Sequence, residues 1–156
     1  TNNTFVHYVR DKDGVDGAYM ICEMFSYYAT QGISLLDKLD ELYKTYGYCL
    51  NTLHSYEFDG SAGFARMQSI MQAFRGGIKE FGGKKVVRLL DYVQGLDGLP
   101  KSDVLKFLLE DNCSLVVRPS GTEPKLKIYI SVSAENKEMA EEVEDEIAKT
   151  AEKWIC

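Results

Sequence analysis

Hydrophobic residues recur every three to four positions in four parts of the chain, which is the period of one face of an α-helix. The helical patterns cover residues 15–31, 34–47, 61–75 and 136–154. The first is apolar on most of its faces, so we expect other residues to cover it. The second begins with Ser34 and Asp37, which fit a capping box, and it stops at Gly47. Gly76 and Gly77 end the third.

Extended segments lie between these helices. The clearest is 126–132, where Leu126, Ile128, Ile130 and Val132 alternate with polar or larger side chains. A period of two predicts a strand with one buried face. Shorter extended or apolar runs occupy 48–58, 86–93, 104–109 and 114–117, separated by turn-like stretches.

From residue 48 onward the order is strand, helix, several strands, helix. This order predicts an α+β domain, residues 48–156, with a small antiparallel sheet covered on one face by two helices. Residues 1–47 supply two helices but too few strands for a domain, so we interpret them as the helical tail of a larger preceding domain. The chain begins at Thr1 without an initiator Met, and we expect it to be an excised or processed fragment.

Composition narrows the function classes. Hydrophobic residues make up 45% and charged residues 27% of the 156 positions, as in a folded globular protein. The net charge of −6 argues against a broad surface for nucleic acid or anionic membranes, and no apolar run approaches a membrane span. Four cysteines without a CxxC pair, and two distant histidines, predict reduced thiols, no metal site and a cytoplasmic location.

The stretch Arg118-Pro119-Ser120-Gly121-Thr122-Glu123-Pro124-Lys125 combines residue types that suit a bound phosphate. Arg118 offers a planar fork of donors, Ser120 and Thr122 add hydroxyls, and Lys125 adds a second positive charge. Gly121 lets the backbone come close to a ligand and can take a positive φ, so that successive N–H groups point into one concavity.

The flanking residues have a supporting role in this interpretation. Pro119 and Pro124 stiffen the two ends of the turn. Glu123 would repel a phosphate, so we expect its side chain to point away and shape the loop. A plain connection between two strands also favours Pro, Ser and Gly, but it has no need of Arg118, Ser120, Thr122 and Lys125 together.

RPSGTEPK followed by the strand from Leu126 to Val132 resembles the phosphate-binding loop in the last domain of the α-D-phosphohexomutase superfamily, which includes phosphoglucomutases and phosphomannomutases. A second stretch agrees: Arg10 to Val15, Met20 to Met24, Ser34 to Leu36 and Leu42 to Gly47 are similar to the end of the third domain in bacterial members. The resemblance implies a last domain like the TATA-binding protein at 48–156 and the C-terminal helical tail of the third α/β domain at 1–47.

The resemblance also implies an activity for the whole enzyme. Such isomerases transfer a phosphoryl group between the C1 and C6 oxygens of a hexose, through a phosphoserine and with magnesium held by other domains. The serine segment, the Asp-rich metal loop and the Gly-Glu-x-Ser-Gly sugar loop typical of the family do not occur here. We therefore expect no catalytic residue, no metal and no cofactor in this chain, and no mutase activity from it alone.

The role implied for this chain is to hold the phosphate that is not reacting. Carried over by position, the binding residues are Arg118, Ser120, Gly121, Thr122 and Lys125. The implied partners are a hexose phosphate (glucose or mannose 1- or 6-phosphate, or a hexose 1,6-bisphosphate) and the other domains of the same polypeptide.

Two alternatives remain at the level of sequence. One is a stand-alone phospho-ligand-binding module that uses the same loop without catalysis. The other is a nucleic-acid-binding module, disfavoured because the strands lack a basic surface interleaved with aromatic residues.

Overall fold

The structure is a computed structural model that describes residues 13–60 and 62–155. The chain divides into two compact units, residues 1–46 and 47–156. The described part of the first unit holds two helices, α1 (Gly14–Ala29) and α2 (Leu35–Tyr46).

Side chains cap both helices of the first unit. The carboxylate of Asp13 accepts hydrogen bonds from the backbone N–H groups of Val15 and Asp16 at the start of α1. The predicted capping box of α2 is confirmed, because Ser34 N–H donates to the Asp37 carboxylate and Asp37 N–H donates to Ser34 Oγ, both at 3.0 Å.

The expectation that α1 is heavily covered is not met by the described residues. None of the side chains of α1 is buried, and Phe25 is 57% exposed. The pattern of α1 predicts its helical state correctly, but among the described residues only Tyr28 and Asp16 of this helix are partly covered, and Lys38 of α2 lies over the Tyr28 ring.

The second unit is an α+β domain, which confirms the predicted class. Its strands are β1 (Tyr48–Glu57), β2 (Glu80–Phe81), β3 (Lys84–Asp91), β4 (Leu105–Leu109), β5 (Ser114–Pro119) and β6 (Lys125–Ala134), and its helices are α3 (Ala62–Arg75) and α4 (Lys137–Glu152). The six strands form one antiparallel sheet in the order β1-β6-β5-β4-β3-β2. The two-residue strand β2 was not predicted, since it is too short to show an alternation.

One face of this sheet and both helices enclose a single hydrophobic core. Alternate residues of β4, β5 and β6 are buried, and they form one cluster with the inward side chains of α3 and α4. Phe74, Phe81 and Phe107 pack together there, with ring centroids 5.1 to 6.3 Å apart. Burying each such side chain stabilises the fold by about 1.5–3 kcal/mol. The remaining residues of these strands lie on the opposite, open face.

Across residues 13–60 and 62–155, no helix combines the length and the apolar character needed to cross a lipid bilayer.

Candidate functional site

The sequence Arg118 to Lys125 forms a tight connection between two neighbouring antiparallel strands. Arg118 lies opposite Lys127 and Pro119 opposite Leu126, so the loop leaves β5 and re-enters the sheet at once as β6. Ser120 N–H donates to the Lys125 carbonyl, and Lys125 N–H donates to the Glu123 carbonyl, both at 2.7 Å. The loop therefore holds its shape through its own hydrogen bonds.

Arg118 is exposed, whereas its neighbour Val117 is completely buried. This alternation puts Arg118 on the open face of the sheet, at the end of β5. Within the described residues its side chain has no hydrogen bond and no ion pair. Its guanidinium donors are thus available to a ligand.

Three of the five predicted residues, Arg118, Ser120 and Gly121, line one cleft of about 360 Å³. The loop supplies one part of the lining, and Ser102, Asp103 and residues of α3 supply the rest. Thr122 is not among the lining residues, and its N–H donates to Ser120 Oγ at 3.5 Å. The fold therefore brings Arg118, Ser120 and Gly121 to the lining of one cleft.

Lys125 faces two carboxylates. Its Nζ lies 3.0 Å from a carboxylate oxygen of Glu57 and 3.4 Å from one of Glu123. These carboxylates, Glu57 first, raise the pKa of Lys125 above its ordinary value. Lys125 does not line the cleft, so in this geometry its charge ties the loop to β1. Its place among the phosphate ligands stays a prediction. The Glu123 carboxylate contacts Lys125 within the loop, and the expectation that it points away from a ligand also stays a prediction.

Gly121 does not adopt the positive φ that the sequence allows, so a nest of N–H groups built on that conformation is absent at this residue. A Cβ atom at this position would meet no atom within 4 Å. The fold of the described residues thus imposes neither a conformational nor a packing need for glycine at 121.

Sequence reasoning did not identify Asp103, which also lines the cleft. Arg75 Nη2 donates to Asp103 Oδ1 at 2.6 Å, while Arg75 Nε donates to Asp91 Oδ2 at 2.8 Å. Arg75 is at the end of α3 and the two carboxylates flank the turn between β3 and β4. No local pattern marks such a contact, since the partners are 16 and 28 positions from the arginine.

Lys127 is a second residue near the loop that the sequence motif does not include. It is directly opposite Arg118 on the open face, and among the described residues its side chain has no ion pair. Two cations without an ion-pair partner in the described part of the chain therefore lie on paired residues at the end of the sheet. The alternation around Leu126 predicts that Lys127 faces away from the core, but its position opposite Arg118 follows only from the pairing of β5 with β6.

In the portion of the chain that the structure describes, no group of three or more His, Cys, Asp or Glu side chains is arranged to hold a metal ion.

The fold defines an α+β domain whose six-stranded antiparallel sheet is covered on one face by two helices. The chain belongs to the family described as phosphoglucomutase/phosphomannomutase, C-terminal domain, whose model matches residues 58–150. This match spans most of the second unit and includes the loop.

Two curated relatives agree with this assignment. The chain is 37% identical over 141 residues to a phosphoglucomutase of Staphylococcus aureus (strain MSSA476), covering 83% of this chain and 25% of that protein. It is 31% identical over 139 residues to a phosphoglucomutase of Staphylococcus saprophyticus, covering 81% of this chain and 25% of the relative. The chain thus spans about a quarter of the length of these proteins.

A solved structure shows the same fold. It is the open form of the exocytosis-sensitive phosphoprotein pp63/parafusin, a phosphoglucomutase from Paramecium, with a TM-score of 0.55 and 18% sequence identity. The likeness covers 95% of this chain and 27% of that one.

Proposed function

We propose that this chain is the C-terminal part of a phosphohexomutase, in which the loop 118–125 binds the non-reacting phosphate of a hexose phosphate. The whole enzyme is then an isomerase that exchanges 1-phosphate and 6-phosphate esters of glucose or mannose. The observation that carries the proposal is that Arg118, whose guanidinium has no partner among the described residues, lines a single cleft together with Ser120 and Gly121.

The chemistry of these groups supports an anionic ligand. A guanidinium can donate two parallel hydrogen bonds to two oxygens of a phosphate, and charge-assisted bonds of this kind are about twice as strong as neutral ones. The Ser120 hydroxyl adds a short donor whose side chain loses little entropy when it is fixed. Gly121 leaves open space that a larger residue would reduce, which suits close approach of a ligand to the backbone.

The preformed loop matters for the energetics of binding. Ser120, Glu123 and Lys125 already fix the turn through hydrogen bonds, and Phe58 N–H donates to the Pro124 carbonyl at 2.9 Å. A ligand therefore orders little additional backbone, which lowers the cost of binding. Once held, the phosphate places the other end of the sugar near the reacting groups, and such positioning lowers reaction barriers by several kcal/mol.

We assign no catalytic group and no metal ligand to this chain. In the family that the sequence resembles, a phosphoserine and a magnesium ion belong to other domains. The described residues hold no group of carboxylates arranged to bind magnesium.

The proposal is tested by titrating the full chain with glucose 6-phosphate while following backbone amide shifts by NMR. We expect the amides of 118–125 to shift, and Arg118→Ala to weaken binding about tenfold or more, since hydrogen bonds to charged groups contribute about 1.5–3 kcal/mol. Lys125→Ala is expected to have a smaller effect, because Lys125 is engaged with Glu57 and Glu123. Lys137→Ala, on the exposed side of α4, is the charge-matched control.

Two results would count against the proposal. Shifts confined to other residues, with 118–125 silent, would remove the loop as the binding site. Unchanged affinity in Arg118→Ala would remove the guanidinium as its main donor. A dissociation constant in the micromolar range for the chain by itself would instead favour the stand-alone binding module, because a separated mutase domain lacks most contacts of the full cleft.

A further inference from the structure

The cleft beside the loop has a second part that a phosphate does not need. Apart from Arg118, Ser120 and Gly121, its lining includes Asp103 and, from α3, Gln68 and Phe64. A phosphate group alone would fill only a small part of about 360 Å³, a volume within the range of small-molecule sites.

Asp103 is an unfavourable neighbour for a phosphate but a good one for a hydroxyl group. Its Oδ1 accepts a hydrogen bond from Arg75 Nη2 at 2.6 Å, which fixes the carboxylate and partly offsets its charge. Its side chain is 31% exposed, and no described residue donates to Oδ2. An oriented carboxylate oxygen with free lone pairs is a strong acceptor for a neutral O–H.

Gln68 and Phe64 complete this second part from the exposed side of α3. The amide of Gln68 offers both an acceptor and two donors, and no described residue bonds to it. Phe64 is 43% exposed, although Met67 one turn further along is buried in the core. Its ring gives the cleft a flat apolar wall of the kind that packs against the C–H face of a sugar ring.

We propose that this cleft binds the sugar as well as the phosphate of a phosphorylated hexose, with Asp103 and Gln68 as hydrogen-bonding residues for its hydroxyls. This inference rests on the proposed function of the loop and extends it from an anion site to a site with two chemically distinct parts. The C-terminal domain then contributes to sugar recognition, in addition to holding a phosphate.

The test compares two probes on the full chain, glucose 6-phosphate and methyl phosphate, by NMR or calorimetry. Both carry the phosphate monoester, and only the first carries a sugar. We expect glucose 6-phosphate to bind about tenfold more tightly. The ratio of the two affinities, glucose 6-phosphate over methyl phosphate, is expected to fall at least threefold in Asp103→Asn and in Gln68→Ala. Methyl phosphate is expected to bind these variants no more weakly than it binds the unsubstituted chain.

Matched variants separate the inference from a general loss of structure. Asparagine at 103 keeps an acceptor for Arg75, so the tie to α3 is retained. Gln72→Ala removes an exposed glutamine one turn along the same helix, and Glu142→Gln removes an exposed carboxylate on α4. Both controls are expected to leave the ratio unchanged.

The outcomes distinguish this inference from the proposed function. Equal affinity for the two probes, or an unchanged ratio in both Asp103→Asn and Gln68→Ala, would overturn the sugar part while the phosphate site stands. An equal gain in affinity for both probes in Asp103→Asn would overturn the role of Asp103 as a hydroxyl acceptor, because it would show that its charge only repels the phosphate. Arg118→Ala must weaken both probes; if neither changes, the proposed function itself fails.

Discussion

Arg75 joins two carboxylates that are distant in sequence and so fixes one wall of the cleft. Its side chain is 18% exposed, and it forms ion pairs with Asp91 and Asp103, which flank the turn between β3 and β4. The hydrogen bond from Arg75 lowers the pKa of Asp91 below its ordinary value of 3.8. The same hydrogen bond raises the pKa of Arg75.

The ion pair predicts a pH-dependent part of the stability. Because the pKa of Asp91 is lowered on folding, its contribution is present above pH 3.8 and is lost as the pH falls through the lower value of the folded state. We expect Asp91→Asn to reduce the free energy of unfolding by about 1 kcal/mol at pH 6, since the pair is partly exposed and asparagine keeps an acceptor.

Urea unfolding of both proteins between pH 2 and pH 6 measures this difference. It is expected to shrink as the pH drops below the ordinary carboxylate pKa. A difference that stays constant over this range would show that the charge of Asp91 does not contribute.

At the scale of elements, the turn between β2 and β3 contacts α4 through a glycine. Gly82 has φ of 54°, and a Cβ atom there would lie 2.6 Å from Ile147 N and 2.7 Å from Glu146 C. Gly82 N–H also donates to Thr150 Oγ1 at 3.1 Å. The backbone of the turn thus approaches the helix too closely for any side chain at 82.

Gly83 provides a matched control for this contact. It also has a positive φ, 74°, but a Cβ atom there meets nothing within 4 Å. We expect Gly83→Ala to cost about 1 kcal/mol for the left-handed backbone alone, and Gly82→Ala to cost roughly 2 kcal/mol more because α4 must move. Thermal unfolding of the two variants measures the difference, and equal losses would contradict the close approach.

At the scale of the molecule, the buried core belongs to the second unit. Every buried hydrophobic side chain among the described residues lies between Phe58 and Ile155. In the first unit large apolar side chains are exposed, among them Val15 at 82% and Tyr46 at 80%. Residues 47–156 therefore contain what a domain of this size needs to fold.

A truncated protein of residues 47–156 tests this division. We expect its urea midpoint to match the main transition of the full chain, because no buried core residue is lost. We also expect it to bind less of a hydrophobic dye such as ANS, since the exposed apolar side chains of α1 and α2 are removed. Loss of cooperative unfolding on truncation would show that the first unit stabilises the second.

The longer helices and strands could be predicted from the sequence, and the loop could be singled out as a candidate phosphate site. Alternation over Leu126 to Val132 predicted β6, and the spacing of apolar residues predicted α3 and α4, because burial on one face leaves a local period. The eight residues from Arg118 to Lys125 carried the phosphate hypothesis, because donors that act together within one turn are adjacent in the chain.

Which of these residues share a cleft, and which other side chains line it, depends on how the strands and α3 pack together. In the folded domain, Lys125 contacts Glu57. Asp103 and Gln68 line the same cleft as Arg118, Ser120 and Gly121. Contacts between residues far apart in sequence depend on strand register and helix packing, and these leave no local pattern. The second part of the cleft, lined by Asp103, Gln68 and Phe64, therefore follows from the packing of α3 near the loop and not from any local pattern.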